Sequence, residues 1–333
     1  MNALNSYDCI IGIIHHSNPY LIDRCISSII AETQKKNLIT VLDNSNDDQF
    51  MSNLQSKYPD VVVVTNKKVS GFARNMNTLI KKYSDKADYF LILNDDTIIT
   101  DAAIDKMIDY LKTKKEIAAI SPKLIYPNGS PQLSAGFFNM KKEIWRFSGL
   151  GRIFTPGAKS YVGKALKKLI PTKTGLMKYL KSFYETDKPW TADYISGTCM
   201  LLKSEALIDV GLLSEDYFMY AEDVDWCRRV RMKNWSVGVF PKAVVVHHQN
   251  SSMNFRAFIE RERSSLIYFT KYSSSKLTLV LYRIIILLMS LVKLIFAAFT
   301  KNKYLSRKDL YRSYVNIMAI MLKNETAYSK KRN

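Results

Sequence analysis

Four short apolar runs, each stopping abruptly on polar or acidic residues, constrain this chain more than any other feature. IIGII (10–14) gives way to His15 and His16, and ITVL (39–42) to Asp43 and Asn44. VVVV (61–64) gives way to Thr65 and Asn66, and FLIL (90–93) to Asn94, Asp95 and Asp96. Helical spacing separates these runs: Leu21, Ile22, Cys25, Ile26, Ile29 and Ile30 share a face within 20–33. Residues 72–83 and about 101–112 carry similar patterns. Alternating strand and helix patterns predict a mainly parallel, Rossmann-like α/β sheet covered by helices on both faces. Such sheets bind ligands at the carboxyl ends of their strands, where this chain places its polar residues. Neither GxGxxG nor GxxxxGK[ST] occurs, so dinucleotide and P-loop readings lose their main support.

Charge is distributed unevenly. The net charge of +19 over 333 residues resolves into about +12 in 253–333 and about +9 in 137–190, leaving a near-neutral remainder. The two basic segments suit a phosphate-rich partner: nucleic acid, an anionic membrane surface or a diphosphate-bearing substrate. Residues 137–190 interrupt the regular pattern with Gly and Pro and are expected to be an inserted segment on the acceptor side. A nucleic-acid-binding class has no motif here, and its phosphates would meet unshielded acidic clusters. Four cysteines without CxxC pairing, and no apolar leader after Met1, favour a reducing, cytosolic location.

The acids at the strand ends point to chemistry. Asp95 and Asp96 repel one another unless a helix N-terminus, water or a cation offsets their charge. A hard divalent cation with oxygen ligands does so, as does a cap for the helix near 101. A second cluster, YFMYAEDVDWCRRVR (217–231), sets Glu222, Asp223 and Asp225 between an aromatic run and an Arg-rich stretch. On a helix Glu222 and Asp225 share a face while Asp223 points away. Burial among aromatics would raise their pKa values, as a general base requires; an acidic helix start paired with Arg228 and Arg229 is the plainer reading. A further apolar run, VVVHH (244–248), ends on two histidines, competent metal ligands or simple turn residues.

In order, Asp43, GFARNMN (71–77), LNDDT (93–97), DYISGTCMLLKSEAL (193–207), the 217–231 cluster and VVVHH resemble glycosyltransferase family 2, of the GT-A fold. The likeness is strongest to rhamnosyltransferase-like enzymes of bacterial O-antigen and capsule assembly, and it covers roughly residues 7–252. It implies a GT-A catalytic domain over 1–252, a Mg²⁺ or Mn²⁺ cofactor, a nucleotide-sugar donor and a lipid-linked glycan acceptor. It further implies Asp43, Arg74, Asn77, Asn94 and Asp95 on the donor side. Asn94-Asp95-Asp96 occupies the family's DXD motif with Asn in the first place, which makes Asp96 the foremost metal ligand. His247 matches a histidine that some relatives place on the metal. Glu222 and Asp223 match an acidic pair whose second member is the catalytic base, and Asp193, Trp190 and Trp226 are expected on the acceptor side. The implied reaction is inverting, with L-rhamnose from dTDP-rhamnose the first donor expected and a UDP-hexose or UDP-galactofuranose the alternative.

Residues 253–333 are expected to be basic, amphipathic helices. In 276–301 the longest stretch free of charge and hydroxyl groups is Ile284–Met289, too short to span a bilayer unaided. Lys276, Arg283, Ser290, Lys293, Thr300 and Lys301 fall on about a third of the circumference. A helix lying in the membrane interface fits this stripe, with a helix packed on the catalytic core or a true span as alternatives. The following basic cluster (Lys301, Lys303, Arg307, Lys308, Arg312) would attract anionic lipids. The chain is therefore expected to be cytoplasmic and peripheral on the inner face of the plasma membrane.

Overall fold

The computed structural model describes residues 6–45, 47–66, 70–138, 186–249, 255–273, 275–297 and 306–322. These belong to two compact units: Met1–Phe137, Phe183–Glu215 and Glu222–Asn250 in one, Phe138–Ser182, Asp216–Ala221 and Ser251–Asn333 in the other. Of the expected basic insertion, 139–185 lie outside the described residues, as do Lys301 and Lys303.

In the first unit, β1 (Tyr7–His15), β2 (Asn37–Asp43), β3 (Val62–Thr65) and β4 (Ala87–Asn94) run parallel in the order β3-β2-β1-β4. The helices α1 (Pro19–Glu32), α2 (Asp48–Lys57) and α3 (Phe72–Tyr83) connect them. Asn18 caps α1 through its bond to Leu21 N–H, and Pro19 begins the helix where no N–H is needed. The predicted face of α1 packs with Ile11, Ile13 and Leu91 of the sheet, with Ile30 instead exposed. Register pairs His15 with Asp43 and Ile14 with Asn94, so the polar strand ends gather along one edge.

Beyond β4 the sheet becomes mixed. The further strands are β5 (Thr97–Ile99), β6 (Ile117–Ile125), β7 (Ala135–Gly136), β8 (Trp190–Ala192), β9 (Tyr194–Ile195), β10 (Cys199–Lys203) and β11 (Ser236–His247), of which β7 and β9 pair antiparallel as a separate two-stranded sheet. The path continues β4-β10-β6-β11-β5, with β10 antiparallel to both neighbours and β8 antiparallel on β11. β11 runs parallel to β6 but slips between Phe240 and Val244, leaving three residues without a partner on β6. That bulge absorbs Pro241, which has no N–H for a ladder.

After α4 (Ala103–Lys112) and α5 (Ser204–Val210), α6 (Glu222–Met232) carries the second acidic cluster. Its buried Asp225 meets Arg229 at 2.9 Å, and the same guanidinium donates to the carbonyls of Val210 (2.8 Å) and Leu212 (2.7 Å). The helix-start pairing with arginine therefore holds for Asp225. Trp226, expected on the acceptor side, is instead fully buried, its indole N–H donating to Gly211 O at 2.8 Å.

In the second unit, α7 (Phe255–Tyr272), α8 (Lys276–Ala297) and α9 (Arg307–Leu322) pack around Leu266, Phe269, Tyr282, Ile286, Ile317 and Met321. The segment 216–221 is held on α7 by Ser264 Oγ donating to Met219 O at 2.7 Å. Within the described part of the polar stripe of α8, Lys276 is exposed, but from Arg283 to Lys293 it turns inward: Ser290 is buried, Lys293 half-buried, and Arg283 donates to Met321 O at 3.3 Å. The outward face is apolar, with Leu277, Leu281, Ile284, Leu288, Leu291 and Ile295 all exposed. Lys276–Ile295 has the length and apolarity of a membrane-crossing helix, at a mean hydropathy of 2.2. A helix that faced water would place these two sides the other way round.

Replacing Arg229 by Ala is expected to destabilise the first unit by about 3–5 kcal/mol, because Asp225 stays buried and loses its counter-charge. Denaturant unfolding followed by tryptophan fluorescence measures this. A smaller loss is expected for Arg229→Ala combined with Asp225→Asn.

Candidate active site

β4 ends at Asn94, and the turn to β5 carries both acids. Thr97 Oγ1 closes this turn by donating to Asn94 O at 2.8 Å. Each acid meets an imidazole. Asp95 Oδ2 lies 2.9 Å from Nδ1 of His15, a buried side chain at the end of β1 that also packs on Phe50. Asp96 Oδ1 lies 3.1 Å from Nε2 of His247 at the end of β11, and His248 N–H donates to Asp96 O at 2.9 Å. Pairing of β11 with β5, His247 opposite Thr97, produces this juxtaposition. His247 is in turn held by Gln132, whose Oε1 lies 2.8 Å from Nδ1.

A short relay joins the acidic turn to the second cluster. Asn94 N–H donates to Thr198 O at 2.9 Å, where β10 begins beside β4. One residue earlier, Gly197 N–H donates to Asp223 Oδ2 at 3.0 Å, and Asp223 Oδ1 accepts from Val224 N–H at 2.8 Å. The strand ends thus bring Asn94, Asp95, Asp96, His15, His247 and Asp223 to one place. Glu222 is buried, and its Oε2 has no hydrogen-bond partner among the described residues. Burial, reinforced by Asp223 and Asp225, pushes its carboxyl up to about 8, so Glu222 is mainly protonated at neutral pH. Cys25, near Asn94 and Thr97, is no thiolate, because burial pushes its thiol up to about 12. Among the described residues no three His, Cys, Asp or Glu side chains form a complete metal cluster. One carboxylate with one imidazole nitrogen fits a Mg²⁺ or Mn²⁺ ion that takes its remaining oxygens from substrate phosphates and water.

The donor-side residues divide. Asp43 stands at the end of β2, its Oδ1 accepting from Ser45 N–H and Oγ. The amide of Asn77 is engaged elsewhere: it donates to Leu213 O and Glu215 Oε1 and accepts from Leu213 N–H, so this buried residue anchors the 213–215 segment. Arg74 reaches the same Glu215 at 3.0 Å. Burial raises the Glu215 pKa, but these two partners outweigh it and hold the carboxyl below its ordinary value. On the acceptor side, Asp193 pairs with Arg231. Trp190 sits in β8 opposite Val239 of β11, about five strand steps or ~16 Å from the end that carries His247. Trp226, fully buried, offers no open face to a sugar. His15 stood out in the sequence at a strand end but without an assigned role, whereas Gln132 carried no signal.

This topology, with acids and a histidine on adjoining strand ends, defines a glycosyltransferase of the GT-A fold. Residues 10–211 match the family "Glycosyl transferase family 2", and the chain belongs to that family. It is 23% identical over 266 residues to the N-acetylglucosaminyl-diphospho-decaprenol L-rhamnosyltransferase of Mycobacterium tuberculosis, covering 73% of this chain and 76% of that protein. It is 22% identical over 274 residues to the rhamnosyltransferase WbbL of Escherichia coli, covering 78% and 91%. Two solved structures share the fold at 12% identity. The mannosyltransferase PcManGT of Pyrobaculum calidifontis, in complex with GDP-Man and Mn²⁺, has a TM-score of 0.54 and coverage of 98% of this chain and 89% of that one. GalNAc-T7 with UDP, GalNAc and Mn²⁺ has a TM-score of 0.55, and the match takes in 97% of this chain but 57% of that one.

Glu222 gives the site a pH signature. The folded protein holds its proton up to about pH 8, whereas an ordinary glutamate loses it near 4.5. Between these values the folded state binds the extra proton, so this stabilisation is present at low pH and lost as pH rises through 8. Glu222→Gln is expected to melt at progressively higher temperature relative to wild type from pH 5 to pH 9; calorimetry at matched ionic strength checks it.

Proposed function

We propose that this enzyme is an inverting, metal-dependent glycosyltransferase that moves L-rhamnose from dTDP-rhamnose to a hydroxyl of a lipid-linked oligosaccharide in surface polysaccharide assembly. The observation that carries the reading is the relay from Asn94 through Thr198 and Gly197 to Asp223, which puts a candidate base beside the acidic turn. The rhamnosyltransferase names of two relatives, one acting on a decaprenol-linked glycan, support the donor and acceptor.

Asp223 accepts the acceptor hydroxyl proton as that oxygen attacks the anomeric carbon from the face opposite the leaving nucleoside diphosphate. The new C–O bond forms as the old one breaks, through an oxocarbenium-like state, and the configuration inverts. Gly197 and Val224 N–H hold the Asp223 carboxylate in place for this transfer. Glu222, protonated beside it, adds no second negative charge where the proton arrives. Asp96 and His247 would hold Mg²⁺ or Mn²⁺, which when bound offsets charge developing on the departing diphosphate. Asp43 lies on the nucleoside side, and Asp95, oriented by His15, on the diphosphate side.

The outward apolar face of α8 and the exposed Arg307, Lys308 and Arg312 of α9 support attachment to the anionic inner face of the plasma membrane. There the lipid-linked acceptor is within reach, and the enzyme is peripheral and cytoplasmic.

A panel of nucleotide sugars with Mn²⁺, read by nucleoside diphosphate release, tests the donor. Release from dTDP-rhamnose is expected, while release only from UDP-hexose or UDP-galactofuranose overturns it. Asp223→Asn is expected to lower kcat about 10²–10⁴-fold with donor KM little changed. Chelation with EDTA should abolish transfer and added Mn²⁺ restore it. Ile284→Asp with Leu288→Asp is expected to release the protein from anionic liposomes in flotation.

A further inference from the structure

Gln132 lies outside every motif, yet it is buried and grips His247 at two points. Its Nε2 donates to the main-chain carbonyl of His247 at 2.7 Å, which leaves Oε1 facing the ring, 2.8 Å from Nδ1. An amide oxygen only accepts, so Nδ1 must carry a hydrogen and donate it. The other ring nitrogen, Nε2, is then the atom turned to Asp96 Oδ1 at 3.1 Å.

A built loop places Gln132. β6 ends in a turn at Tyr126–Gly129, where Gly129 N–H donates to Tyr126 O and Tyr126 N–H to Ser130 O. Pro127 presets the turn, and Gly129 takes φ +78°, a left-handed conformation that glycine adopts without strain. The chain returns beside β6 through an Ile125–Pro131 bridge, and Gln132 N–H donates to Leu124 O at 2.8 Å. β11 runs parallel to β6 on its other course, with Val246 opposite Ile125, so the returning strand meets His247 at the strand end.

We propose that Gln132 is a positioning residue for metal binding: it fixes the ring orientation of His247 and commits Nδ1 as donor, leaving Nε2 to share a cation with Asp96. Metal-ligating histidines characteristically anchor their second nitrogen in this way, and loss of the anchor lowers metal affinity about 10–100-fold. The inference rests on the metal-dependent reading above and adds a residue to it.

Mn²⁺ alone, titrated into the full-length protein and followed by electron paramagnetic resonance, tests it without turnover. Gln132→Leu is expected to weaken Mn²⁺ binding about 10–100-fold. Gln132→Glu, which keeps an acceptor for Nδ1–H, should stay within a few-fold of wild type, and His247→Ala should bind no better than Gln132→Leu. Should Gln132→Leu not fold, Gln132→Asn, one methylene short of the ring, carries the same expectation. Wild-type affinity in both Gln132→Leu and Gln132→Asn, alongside weakened binding by His247→Ala, overturns the role of Gln132 and leaves the metal site standing. A wild-type protein that binds no Mn²⁺ overturns both.

Discussion

The hydrogen bond from Asn94 N–H to Thr198 O marks where β10 starts its antiparallel run beside β4, and the site is organised around it. In a wholly parallel sheet only carboxyl ends meet at the ligand edge. Because β10 is reversed, its amino end arrives there too, bringing Gly197 and, through it, Asp223. β5 and β11 complete the arrangement by pairing antiparallel across the next turn, which sets His247 beside Asp96. Sheet register sets the acids beside the imidazole, and the hydrogen bond from Gly197 N–H ties Asp223, at the start of α6, to the same edge.

Much of this was legible because the first four strands end where their apolar runs end. Local alternation and helical spacing carry that information, and α1 buries its predicted face except for Ile30. The second half of the sheet was harder to see. β6 contains Ser121-Pro122, a pairing that ordinarily argues against an inner strand, and β11 carries Pro241. Both prolines sit where β11 slips against β6, a long-range pairing that no local pattern encodes. The same limit applies to side chains. Asp96, Asp223 and His247 are singled out by type and place, but Gln132 in a Pro-Asn-Gly hairpin looks like any surface glutamine. Trp226 shows the same limit: it lies one position from the buried Asp225, and its periodicity is that of a core residue as much as of a sugar platform.

The helical unit shows what a polar stripe leaves undecided. Polar residues of α8 do fall on one narrow stripe, as its sequence spacing indicates. From Arg283 to Lys293 they face neighbouring helices rather than water, with Arg283 on Met321 O. Apolar side chains then have only the outside left to occupy. A stripe this narrow cannot say which side it faces until neighbouring helices are placed.

The slip in β11 has a bearing on how such a chain can vary. Three residues without partners between Phe240 and Val244 form a buffer midway along the strand. A residue gained or lost there changes the size of the bulge and leaves the pairing from Val244 to His247 as it was. The same change after Val244 would turn His247 to the opposite face of the sheet, because side chains alternate with every step. Drift in length is thus tolerable within the buffer and ruinous downstream, which confines the heritable latitude of this strand to a stretch that carries no chemistry.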